Sequence, residues 1–252
     1  FENANYVSGS YVNIPSTDWN DYNSALTRVP SGTDGIVSKT GAAHAVINSL
    51  APPSGQTGAF NRLGGYHSVF GTGFRSSLDV YIDLSDPKVA ANTYGWDLST
   101  AASKQDNNHL RDFIFHAAAS AGQVKISASN NSNPPNPQIQ PNSYTIPGTG
   151  WYTFEWVFRD NSGALAVDLN LKDAGGTVLW TETLSNPADL IATIVGGNRY
   201  MWFTFIKADK LAIDNSLLER NATVACVLPS GSAFPLGLNT VTCTATDACG
   251  QT

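Results

Sequence analysis

Charge is what this 252-residue sequence is shortest of. Charged residues make up 13% of it, against a usual share of ~25%. Acids outnumber bases, with Asp+Glu 20 and Lys+Arg 14, for a net charge of -6. No basic stripe is available to meet phosphates, which excludes a general nucleic-acid binder and a basic membrane-surface protein. No apolar run approaches the ~20 residues of a spanning helix. Cysteine is absent until the tail, where Cys226, Cys243 and Cys249 fall together, so the first 225 residues must cohere by packing. Metal and catalytic signatures are missing too. There is no Asp-x-Asp-x-Asp-Gly loop, and His44, His67, His109 and His116 are scattered without a His-Glu-x-x-His spacing. No Gly-x-Ser-x-Gly elbow and no Gly-x-x-x-x-Gly-Lys loop occur.

What is present is alternation. In Phe74 to Leu84 the even positions are mostly apolar, while Arg75, Asp79 and Asp83 take the odd ones. That is a strand with one wet face. From Trp151 to Phe158, Tyr152, Phe154, Trp156 and Phe158 point inward and Glu155 outward; from 163 to 171, Leu165, Val167, Leu169 and Leu171 share a face. Stretches 110–117, 123–127, 177–184, 200–206 and 211–216 also read as strands. Asp160-Asn161-Ser162-Gly163 and Asp173-Ala174-Gly175-Gly176 supply tight turns between them. Residues 186–192 read as a short helix, with Asn186 as N-cap and Pro187 in the first turn. The proline-rich stretch 130–142 reads as an exposed loop. The pattern predicts an all-β fold, a lectin-like β-sandwich or jelly roll over residues 1–220, with a distinct segment at 221–252.

That segment carries a resemblance. Ser230-Gly231-Ser232-Ala233-Phe234-Pro235-Leu236-Gly237, followed by Val241-Thr242-Cys243-Thr244-Ala245-Thr246-Asp247 and Gly250, resembles a hyalin repeat, an immunoglobulin-like β-module of extracellular and adhesive proteins. It covers about thirty residues of a module usually near eighty, so the resemblance implies a partial immunoglobulin-like module. It also implies that Cys226 and Cys243 pair in a disulfide, leaving Cys249 to a partner elsewhere or as a free thiol. More loosely, residues 1–220 resemble secreted bacterial β-sandwiches of the lectin or carbohydrate-binding kind. The carriers are Phe1-Glu2, Arg62-Leu63-Gly64-Gly65-Tyr66, Gly150 to Phe154, Gly196 to Tyr200 and Leu211 to Asn215. In similar sandwiches the first and last strands lie side by side and hold a structural Ca²⁺, which would fall here to Glu2, Asp214 and Asn215. The alternative is that these carboxylates cap turns.

For ligand binding, aromatics lead. Trp19 and Tyr22 lie in a polar stretch, and Tyr94 and Trp96 in another beside Asp97; sugars stack on such rings. Arg62, Tyr66 and Arg199 sit beside glycine pairs, where two loops could flank one groove. Trp151, Trp156, Trp180 and Trp202 read as core. Asp79, Asp83, Glu155 and Asp168 lie on polar strand faces. They read as partners of Arg75, Arg111 and Arg159 in cross-strand pairs rather than as a glycosidase's acid and base. Tyr66 and His67 are the pair a lyase would use. The leading expectation is a non-catalytic, secreted or cell-surface bacterial binding or adhesion protein for an extracellular glycan. An alternative is a filament subunit that self-associates by strand complementation through the incomplete tail module. A polysaccharide lyase or hydrolase is third. The Phe at position 1 reads as a processed or cut end, and sequons at Asn130 and Asn221 mark exposed loops.

Overall fold

The computed structural model describes residues 1–2, 19–20, 24–49, 58–61, 73–106, 108–130, 139–195, 201–220, 223–226 and 241–246. Tyr22, Arg62, Tyr66 and Arg199 lie outside the described residues. The strands are β1 (Trp19–Asn20), β2 (Ser24–Pro30), β3 (Ala43–Ser49), β4 (Phe60–Asn61), β5 (Phe74–Ile82), β6 (Gly95–Lys104), β7 (His109–Ser120), β8 (Gln123–Ser129) and β9 (Ser143–Thr145). They continue with β10 (Gly150–Asn161), β11 (Ala164–Lys172), β12 (Val178–Leu190), β13 (Ile194–Val195), β14 (Trp202–Thr204), β15 (Lys210–Arg220), β16 (Thr223–Cys226) and β17 (Cys243–Thr246). One four-residue helix, α1 (Pro87–Ala90), interrupts them.

The fold is all-β. One antiparallel sheet runs β12-β11-β10-β5-β15-β3-β2; a second runs β13-β6-β7-β8-β9, with β14 also paired to β6. The two pack face to face through aromatic side chains. Phe154 and Trp156 of β10 meet Phe115 of β7 at ring-centroid distances of 5.0 and 4.9 Å, and Phe158 meets Phe113 at 5.4 Å. These pairs are edge-on, the arrangement favoured by the ring quadrupole. The indole of Trp156 donates to the Phe113 carbonyl oxygen at 2.9 Å, so its polar atom is satisfied inside the core. Inward parity follows the alternation of β5, β10 and β11, as their sequence predicts. Gly73, at φ +105°, lets β5 begin hard against β10: a Cβ there would lie 2.1 Å from the Phe158 carbonyl oxygen.

Three expectations are corrected. Residues 186–190 are not helical but belong to β12, and only Ile191–Thr193 forms a short 3₁₀ turn. The reason is position: β12 is a sheet edge, where a proline's missing N–H costs no ladder bond. A register shift opposite Ala164 and Ala166 absorbs the irregularity. Second, Trp96 does not stand in a polar loop but on β6, whose inward Trp96, Leu98 and Ala102 are buried; Tyr94 lies in the connection just before it and is also buried. Third, Trp19 is not in a loop but pairs with Asn61 in a two-residue ladder and is 1% exposed. The tail segment forms a separate two-stranded ribbon in which Cys226 lies opposite Cys243.

Candidate functional site

A cleft of about 550 Å³ opens at the end of the first sheet, where segments distant in sequence converge. β5 ends at Ile82 and turns through Asp83 to Asp86. Asp83 accepts from the backbone N–H and the hydroxyl of Ser85 at 2.8 and 2.7 Å, a turn locked by its own side chain. Asp86 caps α1 by accepting from Lys88 N–H at 2.8 Å, with Pro87 in the first turn. Opposite, Asp34 sits in the 3₁₀ turn Thr33–Gly35 and pairs with Lys210 Nζ at 2.6 Å. Lys88 pairs with Asp209 across the same rim. The wall therefore holds the carboxylates Asp34, Asp83, Asp86 and Asp209, with two lysines tied to two of them.

Tyr81 supplies the apolar surface. It occupies an outward position of β5 and is half-buried. Its ring lies 5.4 Å from that of Trp151, edge to face at 72°. Trp151 is held in turn by donating its indole N–H to the Val37 carbonyl oxygen at 2.8 Å, and by an edge contact with His44 at 6.0 Å. His44 is buried and shares a 3.0 Å hydrogen bond with the Ser38 hydroxyl. Burial pushes its pKa down, which keeps the imidazole neutral. Tyr94 also lines the cleft, at its floor: it is 4% exposed, and its hydroxyl accepts from the Trp96 indole at 3.2 Å. Burial pushes the Tyr94 phenol upward, so it stays protonated.

The rings that the sequence offered to a ligand are placed differently. Trp96, 0% exposed, packs edge-on against Phe154 and Phe203, so both its faces are taken by the core. Trp19 is buried and donates to the Ser216 hydroxyl at 3.3 Å. Neither has a face free for stacking, because each sits on an inward position of a ladder. Trp151, read as core, is instead half-buried on the outward face beside Tyr81. The signal for this was parity: with Tyr152 and Phe154 inward, Trp151 must point outward.

Glu2, Asp214 and Asn215 do come together around the turn at Thr40–Ala43, but as a clamp. Glu2 Oε1 accepts from the N–H groups of Ala42 and Ala43, both at 2.9 Å. Asp214 accepts from Thr40 N–H at 3.1 Å and Asn215 N–H at 2.9 Å. Asn215 accepts from the Thr40 hydroxyl at 2.6 Å and donates to Asp79 at 2.8 Å. Each of the three residues already accepts hydrogen bonds from this turn or its neighbours, and among the described residues no cluster of three or more acidic, histidine or cysteine side chains is arranged for a metal. Burial raises the pKa of Asp214.

Of the carboxylates weighed for acid-base chemistry, Asp168 and Glu155 are paired with cations, Asp79 accepts from Thr153 and Asn215, and Asp83 accepts from Ser85. Arg159 is bidentate with Asp168 at 2.7 and 3.0 Å, and this bond holds the Asp168 carboxyl below its usual range. Arg111 is bidentate with Asp189 at 2.9 and 3.2 Å. Arg75 pairs with Glu219 and faces Glu155 at 3.5 Å. Of the cross-strand pairs expected of these arginines, Arg159–Asp168 and the longer Arg75–Glu155 contact are in place, whereas Arg111 reaches Asp189 on the other sheet, Arg75 is mainly engaged with Glu219, and neither Asp79 nor Asp83 meets an arginine among the described residues.

No helix among the described residues is long and apolar enough to cross a membrane. No protein-family model and no curated protein sequence matches the chain. Among solved structures it is similar to the CBM2 module of the evolved Dit protein of Lactobacillus casei BL23 phage J-1, at 13% identity and a TM-score of 0.42, over 82% of this chain and 91% of that one.

Proposed function

We propose that this is an extracellular binding protein whose cleft at Tyr81 takes a neutral glycan and does no chemistry on it. The observation that carries the reading is one half-buried aromatic ring set among four carboxylates in a cleft of about 550 Å³. A pyranose has an apolar face of C–H groups and a rim of hydroxyls. A rigid ring covers the first at little entropic cost, and carboxylate oxygens accept from the second. The excess of acids over lysines disfavours anionic sugars. Isothermal titration against neutral oligosaccharides chosen from a glycan array tests the reading. Tyr81→Ala is expected to weaken binding about tenfold or more, since losing one stacked ring face is worth ~1.5 kcal/mol. Absence of neutral-glycan binding by the wild type, or binding indifferent to Tyr81→Ala, would refute it.

Secretion and a Cys226–Cys243 disulfide belong to the same proposal. Adjacent register positions suit such a bridge, and an oxidising compartment preserves it. A second reading, the filament subunit, is favoured by the β16–β17 ribbon, which has no third strand among the described residues and is marginal alone. Electron microscopy of native material distinguishes them: regular fibres support strand complementation, and dispersed particles remove it.

A further inference from the structure

The outer face of the second sheet holds a cluster separate from the cleft. Asp97 on β6, His116 on β7 and Ser129 on β8 occupy three adjacent strands on one face, opposite to the inward Leu98, Phe115 and Ala128. Asp97 is the register partner of His116, and Ser129 lies diagonally across from it, two residues beyond its partner Ser127. His116 Nδ1 is 2.7 Å from Asp97 Oδ1, and His116 Nε2 is 2.8 Å from Ser129 Oγ. A carboxylate only accepts, so the proton of the neutral imidazole sits on Nδ1 and the Nε2 lone pair faces the serine hydroxyl. Asp97 and His116 are each 1% exposed, whereas Ser129 is half-buried and lines a cavity of about 400 Å³. The proton relay is therefore dry at one end and open at the other. Asp97 Oδ2 is buried without a hydrogen-bond partner, a cost that packing alone does not explain.

We propose that Ser129 is a nucleophile, His116 its general base and Asp97 the residue that positions His116, in a second site that hydrolyses a small neutral carboxylic ester. The site goes beyond the glycan-binding reading and does not depend on it. Ser129 Oγ adds to the ester carbonyl carbon while its proton passes to His116 Nε2. The carbonyl–alkoxy bond then breaks, and the departing alkoxide takes that proton and leaves as the alcohol. Water adds to the acyl-Ser129 ester, giving a proton to Nε2. The bond to Oγ breaks, Oγ regains the proton, and the carboxylic acid departs. The carboxamides of Asn130 and Gln140 line the same cavity and make no side-chain hydrogen bond among the described residues, so they are the donors available to the oxyanion. Leu184 and Pro141 offer apolar wall to the acyl group, and Glu182 disfavours an anionic substrate. Roles and geometry, not a sequence elbow, define such a constellation.

The test uses the full chain with a fluorophosphonate probe, followed by peptide mapping, and with p-nitrophenyl acetate as substrate. Ser129 is expected to carry the label, and Ser129→Ala to lose it together with at least about a hundredfold in hydrolysis rate. Ser120→Ala, at the end of β7 and outside the cavity, should keep both. Asp97→Asn would present an amide donor to Nδ1 and fix the wrong tautomer, so it should flatten the rise of rate with pH that a histidine base gives the wild type. Should Ser129→Ala not fold, the mapped label on wild type decides by itself. An unlabelled Ser129 in folded wild type, or hydrolysis unchanged in folded Ser129→Ala, overturns the proposal.

Discussion

Lys172→Met tests whether the carboxylates on the outer face of the first sheet are structural. Glu155 lies at the middle of β10 with its side chain 6% exposed. Lys172 reaches it diagonally from β11, Nζ to Oε1 2.6 Å, and Asn170, its direct register partner, donates to Oε2 at 2.9 Å. Arg75 stands farther off at 3.5 Å and is mainly engaged with Glu219. Removing the lysine leaves a nearly buried carboxylate with one amide and one distant guanidinium. Loss of one partner from a buried pair costs ~3–5 kcal/mol. Lys172 is itself 20% exposed and Arg75 remains, so the cost falls at or just below the lower end of that range, about 2–3 kcal/mol. For a chain of this length that is a fall in Tm of roughly 5–10 °C. Adding Glu155→Gln keeps an acceptor for Asn170 and removes the stranded charge, so the double variant should recover most of the loss. Scanning calorimetry of the four proteins of this cycle measures the coupling directly. If Lys172→Met melts with the wild type, or if the double variant is no better than the single, Glu155 is not held by its partners. Its charge would then be free for the acid-base chemistry that the pairing argues against.

Two further predictions concern pH and calcium. Asp168 is held below the usual carboxylate range first by its bond to Arg159, so the stability it contributes is fully present above ~4 and is lost as pH falls through the lower folded value. Asp168→Asn should therefore melt below wild type at neutral pH, with the gap closing in acid; a gap that persists at the acid end would contradict the ion pair as its source. Calcium bound at about a hundredfold above its Kd would add ~2.7 kcal/mol, several degrees of Tm. The Glu2–Asp214–Asn215 clamp predicts the same melting temperature in excess calcium and in chelator, and a calcium-dependent rise of several degrees would restore those residues as ligands.

The long strands were legible because burial on one face imposes period two on them. β5, β10 and β11 show it without interruption, and their inward residues follow from alternation alone. β6 was not legible for a physical reason. Its outward residues Asp97, Ser99 and Ser103 are polar like a loop's, and its inward Thr100 and Ala102 are small, so Trp96 beside Asp97 looked like an exposed aromatic. Asp97 is buried because His116 lies opposite it, a fact set by register between strands. The misread helix at 186–192 fails in the same way. Capping chemistry was present at Asn186 and Pro187, but the chain was already committed to an edge strand, where Asp189 meets Arg111 of the other sheet.

Both candidate sites follow from this difference between facing outward and being open to solvent. Parity places Tyr81, Trp151, His116 and Ser129 on outward faces, and that much the alternation of β5, β10, β7 and β8 does contain. Which of them water reaches depends on what crosses above, and those segments come from far along the chain: Asp34 and Lys210, the ion pair that flanks Tyr81, are 176 residues apart. The two sheets use the freedom differently. On the first, outward charges pair across strands and leave a half-buried ring at the end of β5, which suits reversible recognition of a ligand with both C–H and O–H surface. On the second, Asp97, His116 and Ser129 are directed at one another, and the chain of contacts ends at a half-buried hydroxyl. A surface polar cluster gains little from such order, since water would satisfy it. Enclosure is what turns three polar residues into a tautomer-fixed relay, and it makes His116 and Ser129, rather than the paired carboxylates of the first sheet, the place where bond-making chemistry has its physical basis.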